Sequence, residues 1–358
     1  MCELLAMSSS RPSHLTFSLQ ALTEHSLHGS RDGWGAAFYA GRDVALFREP
    51  AAASGSALVD FLQSQGPSTT LAISHIRHAT MGEVALANTQ PFVREMAGRM
   101  HTFAHNGTLP GIAHHPGFAL GRYRPIGGTD SEHAFCVLLD RIHELWATTE
   151  VPTLDARMRV ISAFASALRQ LGPANFFYAD SEVLFAHGDR RLQATDGLTR
   201  SPGLWVLERR CEDSDKALHA DGISVEPGFQ DLALIASVAL TDGAWRAFSE
   251  GELVAVSMGE VLKSVMPISA PAQPLHLTVV GYGEAVQRMQ KRVQCAAHAL
   301  GRALALDTST SLGEYGLRYE DTPALVHQGA VVIKGLPRTE EIEAWLMNLN
   351  NDLQVDGN

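Results

Sequence analysis

Five short stretches of this 358-residue chain carry residue types that could do chemistry together. The chain begins MCELLAM, and removal of Met1 would leave Cys2 with a thiol and a free α-amino group on one residue, a nucleophile with a base attached. RDGWGAAFY brackets an aromatic with Gly33 and Gly35 ahead of a strand, as expected where backbone must turn tightly or approach a ligand. SHIRHATMG is an apolar strand that ends by presenting Arg77, His78 and Thr80, and an arginine fork suits a carboxylate. In FAHNGTL, Asn106 and Gly107 follow a strand, and an asparagine amide beside a glycine N–H offers two donors to an oxyanion. GGTDSEHAF places Asp130 at a helix start.

Each stretch also has a structural explanation. Cysteine is among the most buried residue types and Cys2 precedes an apolar run. Asn-Gly makes hairpin turns, and aspartate caps helices. What singles them out is their conjunction. In this order, MC, DGWG, HIRHAT, HNG and TDSE resemble the class-II glutamine amidotransferases, N-terminal-nucleophile enzymes that release ammonia from glutamine. The resemblance covers roughly residues 2–263 and is nearest to the stand-alone, YafJ-like branch.

That resemblance implies a four-layer αββα sandwich with the processed N-terminus on an inner strand. It implies Cys2 as nucleophile and its α-amino group as proton acceptor. Arg77 would bind the α-carboxylate of a glutamyl group, Asp130 its α-ammonium, and Asn106 with Gly107 the oxyanion. Arg31 and Gly33 would belong to a loop closing over substrate, with Thr80 beside Arg77. Glutamine or another γ-glutamyl small molecule is the implied ligand, with no cofactor and no metal. Met81 stands where synthase-fused relatives often have histidine, and nothing after residue 263 resembles an ammonia-consuming domain. Any acceptor enzyme would therefore be a separate chain. The competing functional class is a non-catalytic glutamine-binding or regulatory subunit.

The elements that must position these residues can be read from periodicity. GAAFYA, TLAISHIR, MHTFAHN, ANFFYAD, EVLFAHG, LWVLERR, LALIASVAL and ELVAVSM have strand lengths and composition. Between them, Ala134, Phe135, Leu138, Leu139, Ile142 and Leu145 share one helical face over 131–146, with Thr129 and Glu132 as a capping box. Leu154, Met158, Ile161, Ala165 and Leu168 mark a second helix. Strands, two helices, then more strands predict an α+β fold of layered sheets rather than a doubly wound one.

The first domain is expected over residues 2–263, a proline-rich linker over 264–274 (PISAPAQP within it), and a small α+β module of unread role over 275–358. In that module the pattern predicts a strand, a helix from Glu284 to about Leu306, one or two strands ending in GAVVIKG, and a helix from Thr339 to about Leu349.

Composition narrows the class. Apolar residues make up 45% and charged residues 19%, ordinary globular values. A net charge of −11 without a basic run argues against nucleic acid as a partner. No run of apolar residues reaches bilayer-spanning length, and MCELLAMSSS lacks a signal-peptide pattern. Four scattered cysteines without a CxxC pair fit a reducing cytoplasm. Homo-oligomerisation is left open. Two lesser sites compete. His75, His78, His101 and His105 have spacings a metal can use, but no acidic ligand accompanies them. The GYG at 281–283 follows a strand and precedes a helix, but Val286 replaces the third glycine of a dinucleotide fingerprint.

Overall fold

A computed structural model describes residues 2–14, 32–79, 82–147, 151–193, 196–211, 218–220, 223–225, 230–241, 243–267, 275–299 and 304–352. It divides into two compact units, residues 1–268 and 269–358.

The first unit is built on two antiparallel sheets. One is ordered β15-β11-β14-β1-β4-β2-β3, from β1 (Glu3–His14), β2 (Trp34–Ala40), β3 (Asp43–Glu49), β4 (Ser68–Ile76), β11 (Trp205–Cys211), β14 (Gln230–Ala236) and β15 (Arg246–Ala247). The other is ordered β17-β16-β8-β7-β6-β5, from β5 (Phe92–Met96), β6 (Arg99–Gly107), β7 (Ala174–Ala179), β8 (Leu184–Gly188), β16 (Glu252–Ser257) and β17 (Glu260–Val265). Two short ribbons, β9 (Arg191–Leu192) with β10 (Thr199–Arg200) and β12 (Leu218–Ala220) with β13 (Ile223–Val225), complete the strands.

Alternation along the strands sorts side chains into three apolar layers. Leu4 and Ala6 of β1, with Leu71 and Ile73 of β4, meet Ala104, Phe177, Leu184 and Val254 between the sheets. Leu5, Met7, Trp34 and Phe38 point the other way, onto Val59 and Leu62 of helix α1 (Ala57–Gln65). On the far face of the second sheet, Phe103, Phe176, Tyr178 and Phe185 pack against α2 (Asp130–Ile142) and α3 (Leu154–Leu168). Helix, sheet, sheet and helix pair stack as the αββα sandwich that the motifs imply. Ala134, Phe135, Leu138, Leu139 and Ile142 all lie in that last layer, as their spacing requires.

The capping box of α2 is only half made. The Thr129 hydroxyl accepts the Glu132 N–H at 3.2 Å. The Glu132 carboxylate is drawn instead to Arg94 Nη2 at 2.5 Å and the Gly127 N–H at 2.7 Å, because a charged partner outbids the Thr129 N–H.

The second unit is a four-stranded sheet ordered β19-β18-β20-β21, from β18 (Leu275–Val280), β19 (Leu304–Ser309), β20 (Ala324–His327) and β21 (Ala330–Lys334). Its core holds Leu277, Val279 and Leu325 against Met289 and Val293 of α4 (Gly283–Ala299) and Ile342 and Leu346 of α5 (Thr339–Asp352). The helix expected to run to about Leu306 is shorter. Leu304–Ser309 is a strand paired in parallel with β18, Leu275 opposite Leu304, so tertiary pairing overrides the helical propensity of that stretch. The first unit's last strand reaches Val265, two residues beyond the expected boundary. Most of PISAPAQP lies outside the described residues.

The three layers of the first unit need no side chain from beyond Val265. A chain cut after Pro267 is therefore expected to stay soluble and to melt cooperatively. Circular dichroism and thermal melting check this, and an unfolded product would make the two units one folding domain.

Candidate active site

Cys2 stands at the head of β1, and alternation puts it on the face of Leu4 and Ala6, between the sheets. Asn106 has the parity of Ala104 on β6 and faces the same gap from the second sheet. The two meet: Asn106 Nδ2 donates to the Cys2 carbonyl at 2.6 Å. Neighbouring bonds fix the strand head. The Leu4 N–H donates to Ser237 Oγ at 2.9 Å, and buried Glu3 pairs with Arg191 at 2.9 Å.

The half-buried thiol lies against the chain leaving β4. The His78 N–H donates to Cys2 Sγ at 3.1 Å, and the thiol donates to the His78 carbonyl at 3.3 Å. Desolvation pushes the thiol up to about 11, opposed by the His78 N–H and the more distant charge of Arg77. Burial thus favours the neutral thiol over the thiolate.

Arg77 is buried immediately after β4. Its N–H donates to the Gly33 carbonyl at 2.8 Å, and its guanidinium to the carbonyls of Asp32 (3.4 Å), Gly82 (3.1 Å) and Glu83 (3.1 Å). One fork thus ties together the loop ahead of β2 and the loop after β4. Asp32 adds a second tie, accepting the Ala79 N–H at 2.9 Å with His78 Nδ1 3.7 Å away.

Asp130 occupies the first turn of α2, but the cap is Thr129, so capping does not account for the aspartate. Its Oδ2 accepts the Leu109 N–H at 2.7 Å and its Oδ1 the Ser131 N–H at 2.8 Å, joining the helix start to the segment just past Gly107. Among the described residues no cation pairs with this buried carboxylate, which lies at the positive end of the helix.

Two glycines are required by close approach. Gly107 carries no Cβ because one would lie 1.8 Å from the Pro173 carbonyl oxygen. Gly33 has φ +139°, and a Cβ there would crowd Thr89 and the Glu49 carbonyl. Arg31 and Thr80 lie outside the described residues, as does Met81.

The structure therefore brings Cys2, Asn106 and the His78 backbone into contact, and links Arg77 to Gly33 and Asp130 to the turn after Gly107. Sequence reasoning missed three supporting groups. Asp32 lies within RDGWGAAFY, overshadowed by the glycines beside it. Gln90 takes the His105 N–H with Oε1 at 2.6 Å. Asn175 was visible only as a polar residue inside the apolar run ANFFYAD.

The competing sites disperse. His101 bonds the Tyr178 hydroxyl at 2.7 Å and His105 bonds Ser131 Oγ at 2.9 Å, both on the helix-facing side of their sheet. His75 lies on the opposite side, between the sheets, with burial pushing it down to about 3. Among the described residues no group of three His, Cys, Asp or Glu side chains could hold a metal ion. Val286 is buried in the core of the second unit. No described helix is long and apolar enough to cross a membrane.

The family model for class-II glutamine amidotransferases matches residues 1–278. The YafJ protein of Escherichia coli K12 is 33% identical over 265 residues, covering 71% of this chain and 100% of YafJ. MJ1515 of Methanocaldococcus jannaschii is 32% identical over 267 residues, covering 74% of this chain and 71% of its own length. A 2.0 Å crystal structure of a predicted glutamine amidotransferase from Pseudomonas aeruginosa PA01 superposes with a TM-score of 0.54 at 32% identity, covering 73% of this chain and 100% of that one.

Proposed function

This chain belongs to the class-II glutamine amidotransferases, and from that membership we propose that it hydrolyses the γ-amide of glutamine or of a larger γ-glutamyl compound through a glutamyl thioester on Cys2. The observation that supports the reading is the 2.6 Å bond from Asn106 to the Cys2 carbonyl, which brings the thiol-bearing residue and a side-chain amide side by side from two different sheets.

The steps follow from the groups present. With Met1 removed, the α-amino group of Cys2 accepts the thiol proton as sulfur attacks the γ-carbonyl carbon. A primary amide carries two N–H bonds. Asn106 spends one on Cys2, and the other, with the Gly107 N–H, meets the oxyanion. Collapse expels the amine, which takes the proton held by the α-amino group. Water then hydrolyses the thioester, regenerating the thiol and releasing glutamate. Arg77 and Asp130 hold the amino-acid end of the substrate, the fork on the carboxylate and the aspartate on the ammonium.

Arg77→Lys keeps the charge but cannot bridge two loops and a carboxylate at once. The expected result is a fall of about tenfold or more in kcat/KM. Steady-state kinetics check it, and unchanged kinetics would remove Arg77 from the site.

Because Arg77 and Asp130 read only the glutamyl end, the leaving amine is not restricted to ammonia. The test incubates processed protein with glutamine, γ-glutamyl dipeptides and a chromogenic γ-glutamyl anilide, with Cys2→Ala as the blank. Cleavage of several substrates supports a broad γ-glutamyl amidohydrolase. Cleavage of glutamine alone, accelerated by a partner protein, would instead identify a donor of ammonia to a separate enzyme.

A further inference from the structure

Within a strand, the carbonyl of one residue and the N–H of the next share one rigid peptide plane and point to opposite sides. The Asn106 carbonyl is held toward β7, where Asn175 Nδ2 donates to it at 3.1 Å. The Gly107 N–H must therefore point to the β5 side. There β5 pairs no further than Phe92 opposite Phe103. Gln90 covers one more repeat, taking the His105 N–H at 2.6 Å and donating to the His105 carbonyl at 3.2 Å. Gly107 lies one repeat beyond that cover, at the end of β6 and next to Asn106, whose amide bonds Cys2.

Asn175 is itself immobilised. It pairs with Asn106 in register on β7, faces the gap between the sheets with Phe177, and is buried. Its Nδ2 also donates to the Arg190 carbonyl at 2.8 Å, and its Oδ1 accepts the Asp189 N–H at 2.7 Å. A Cβ on Gly203 would lie 1.7 Å from that oxygen, so the neighbouring chain packs directly onto the amide.

We propose that Asn175 is a positioning residue that locks the Asn106–Gly107 peptide plane and so aims the Gly107 N–H at the oxyanion. The inference rests on the hydrolase reading above and adds to it a residue that never touches substrate.

The test is Asn175→Asp. The carboxylate has the amide's shape and keeps the acceptor for the Asp189 N–H, but turns an oxygen, not a donor, toward the Asn106 carbonyl. Tilting a donor away costs roughly ten- to hundredfold in kcat, somewhat less than deleting one. KM should stay within about threefold, because Arg77 and Asp130 are untouched. Affinity for the glutamine analogue with an aldehyde in place of the γ-amide, which forms a tetrahedral adduct on sulfur, should fall by the same factor as kcat. Phe177→Leu, a core change on the same strand, should lower the melting temperature and leave kcat alone. Where Asn175→Asp does not fold, Asn175→Ser, whose hydroxyl is too short to reach the Asn106 carbonyl, should show the same split. A folded variant with kcat within about threefold of the parent, or with the loss carried by KM, overturns the inference. Absence of turnover by the parent on every γ-glutamyl compound would instead overturn the functional reading beneath it.

Discussion

Replacing Cys2 by alanine removes turnover of every γ-glutamyl substrate while leaving the fold in place. Loss of a lone nucleophile lowers kcat on the order of 10⁵–10⁶-fold, leaving only the residual rate that binding and oxyanion donors supply. The side chain is half-buried and, among the described residues, bonded only to the backbone of His78, so its loss disturbs little packing. The thiol pushed up to about 11 makes a second, sharper expectation. Burial disfavours the thiolate, so a base is expected to act during attack rather than a stored thiolate driving the reaction. The acid limb of kcat/KM should then follow the α-amino group, near 7.7–8.0 in its ordinary range, and not the thiol. Intact mass of the active protein should lack one methionine. Activity in a preparation that retains Met1 would exclude the α-amino group as base.

What the sequence disclosed depended on how local the determining contacts are. The apolar run ELLAM already reads as a buried strand headed by Cys2. The face of α2 that meets the second sheet is likewise readable from Ala134 to Ile142, because helical spacing is local. That Asn106 sits beside Cys2 is a different kind of fact. It requires two sheets to stack in one register, and short motifs convey that only through their joint occurrence. Asn175 was hidden for the same reason. Nothing near ANFFYAD tells that its polar side chain spans from the Asn106 carbonyl to the chain leaving β8. At β19 local signals misled outright. The stretch after Gly301 has helix-forming residues, and only the open edge of β18 makes a strand of it. The Glu132 carboxylate of α2 chose Arg94 over its own cap because a charge-assisted bond from β5 is stronger than a local one.

Asn106→Ala tests the oxyanion role most directly. Deleting one such donor costs about 10²–10³ in kcat, roughly 2.7–4 kcal/mol of transition-state stabilisation. The glutamyl end is held elsewhere, so KM should change little and the loss should appear in kcat. Asn106 also donates to the Cys2 carbonyl, and a misplaced nucleophile could mimic a lost oxyanion donor. Iodoacetamide separates the two causes. Its reaction with the thiol develops no oxyanion, so the labelling rate of Cys2 should match the parent if sulfur and base remain in place. Binding of the γ-aldehyde analogue should weaken in step with kcat, because its adduct carries the oxygen that Asn106 holds. Slowed labelling that accounts for the whole loss in kcat would make Asn106 a strut for Cys2 and leave the oxyanion to Gly107 alone.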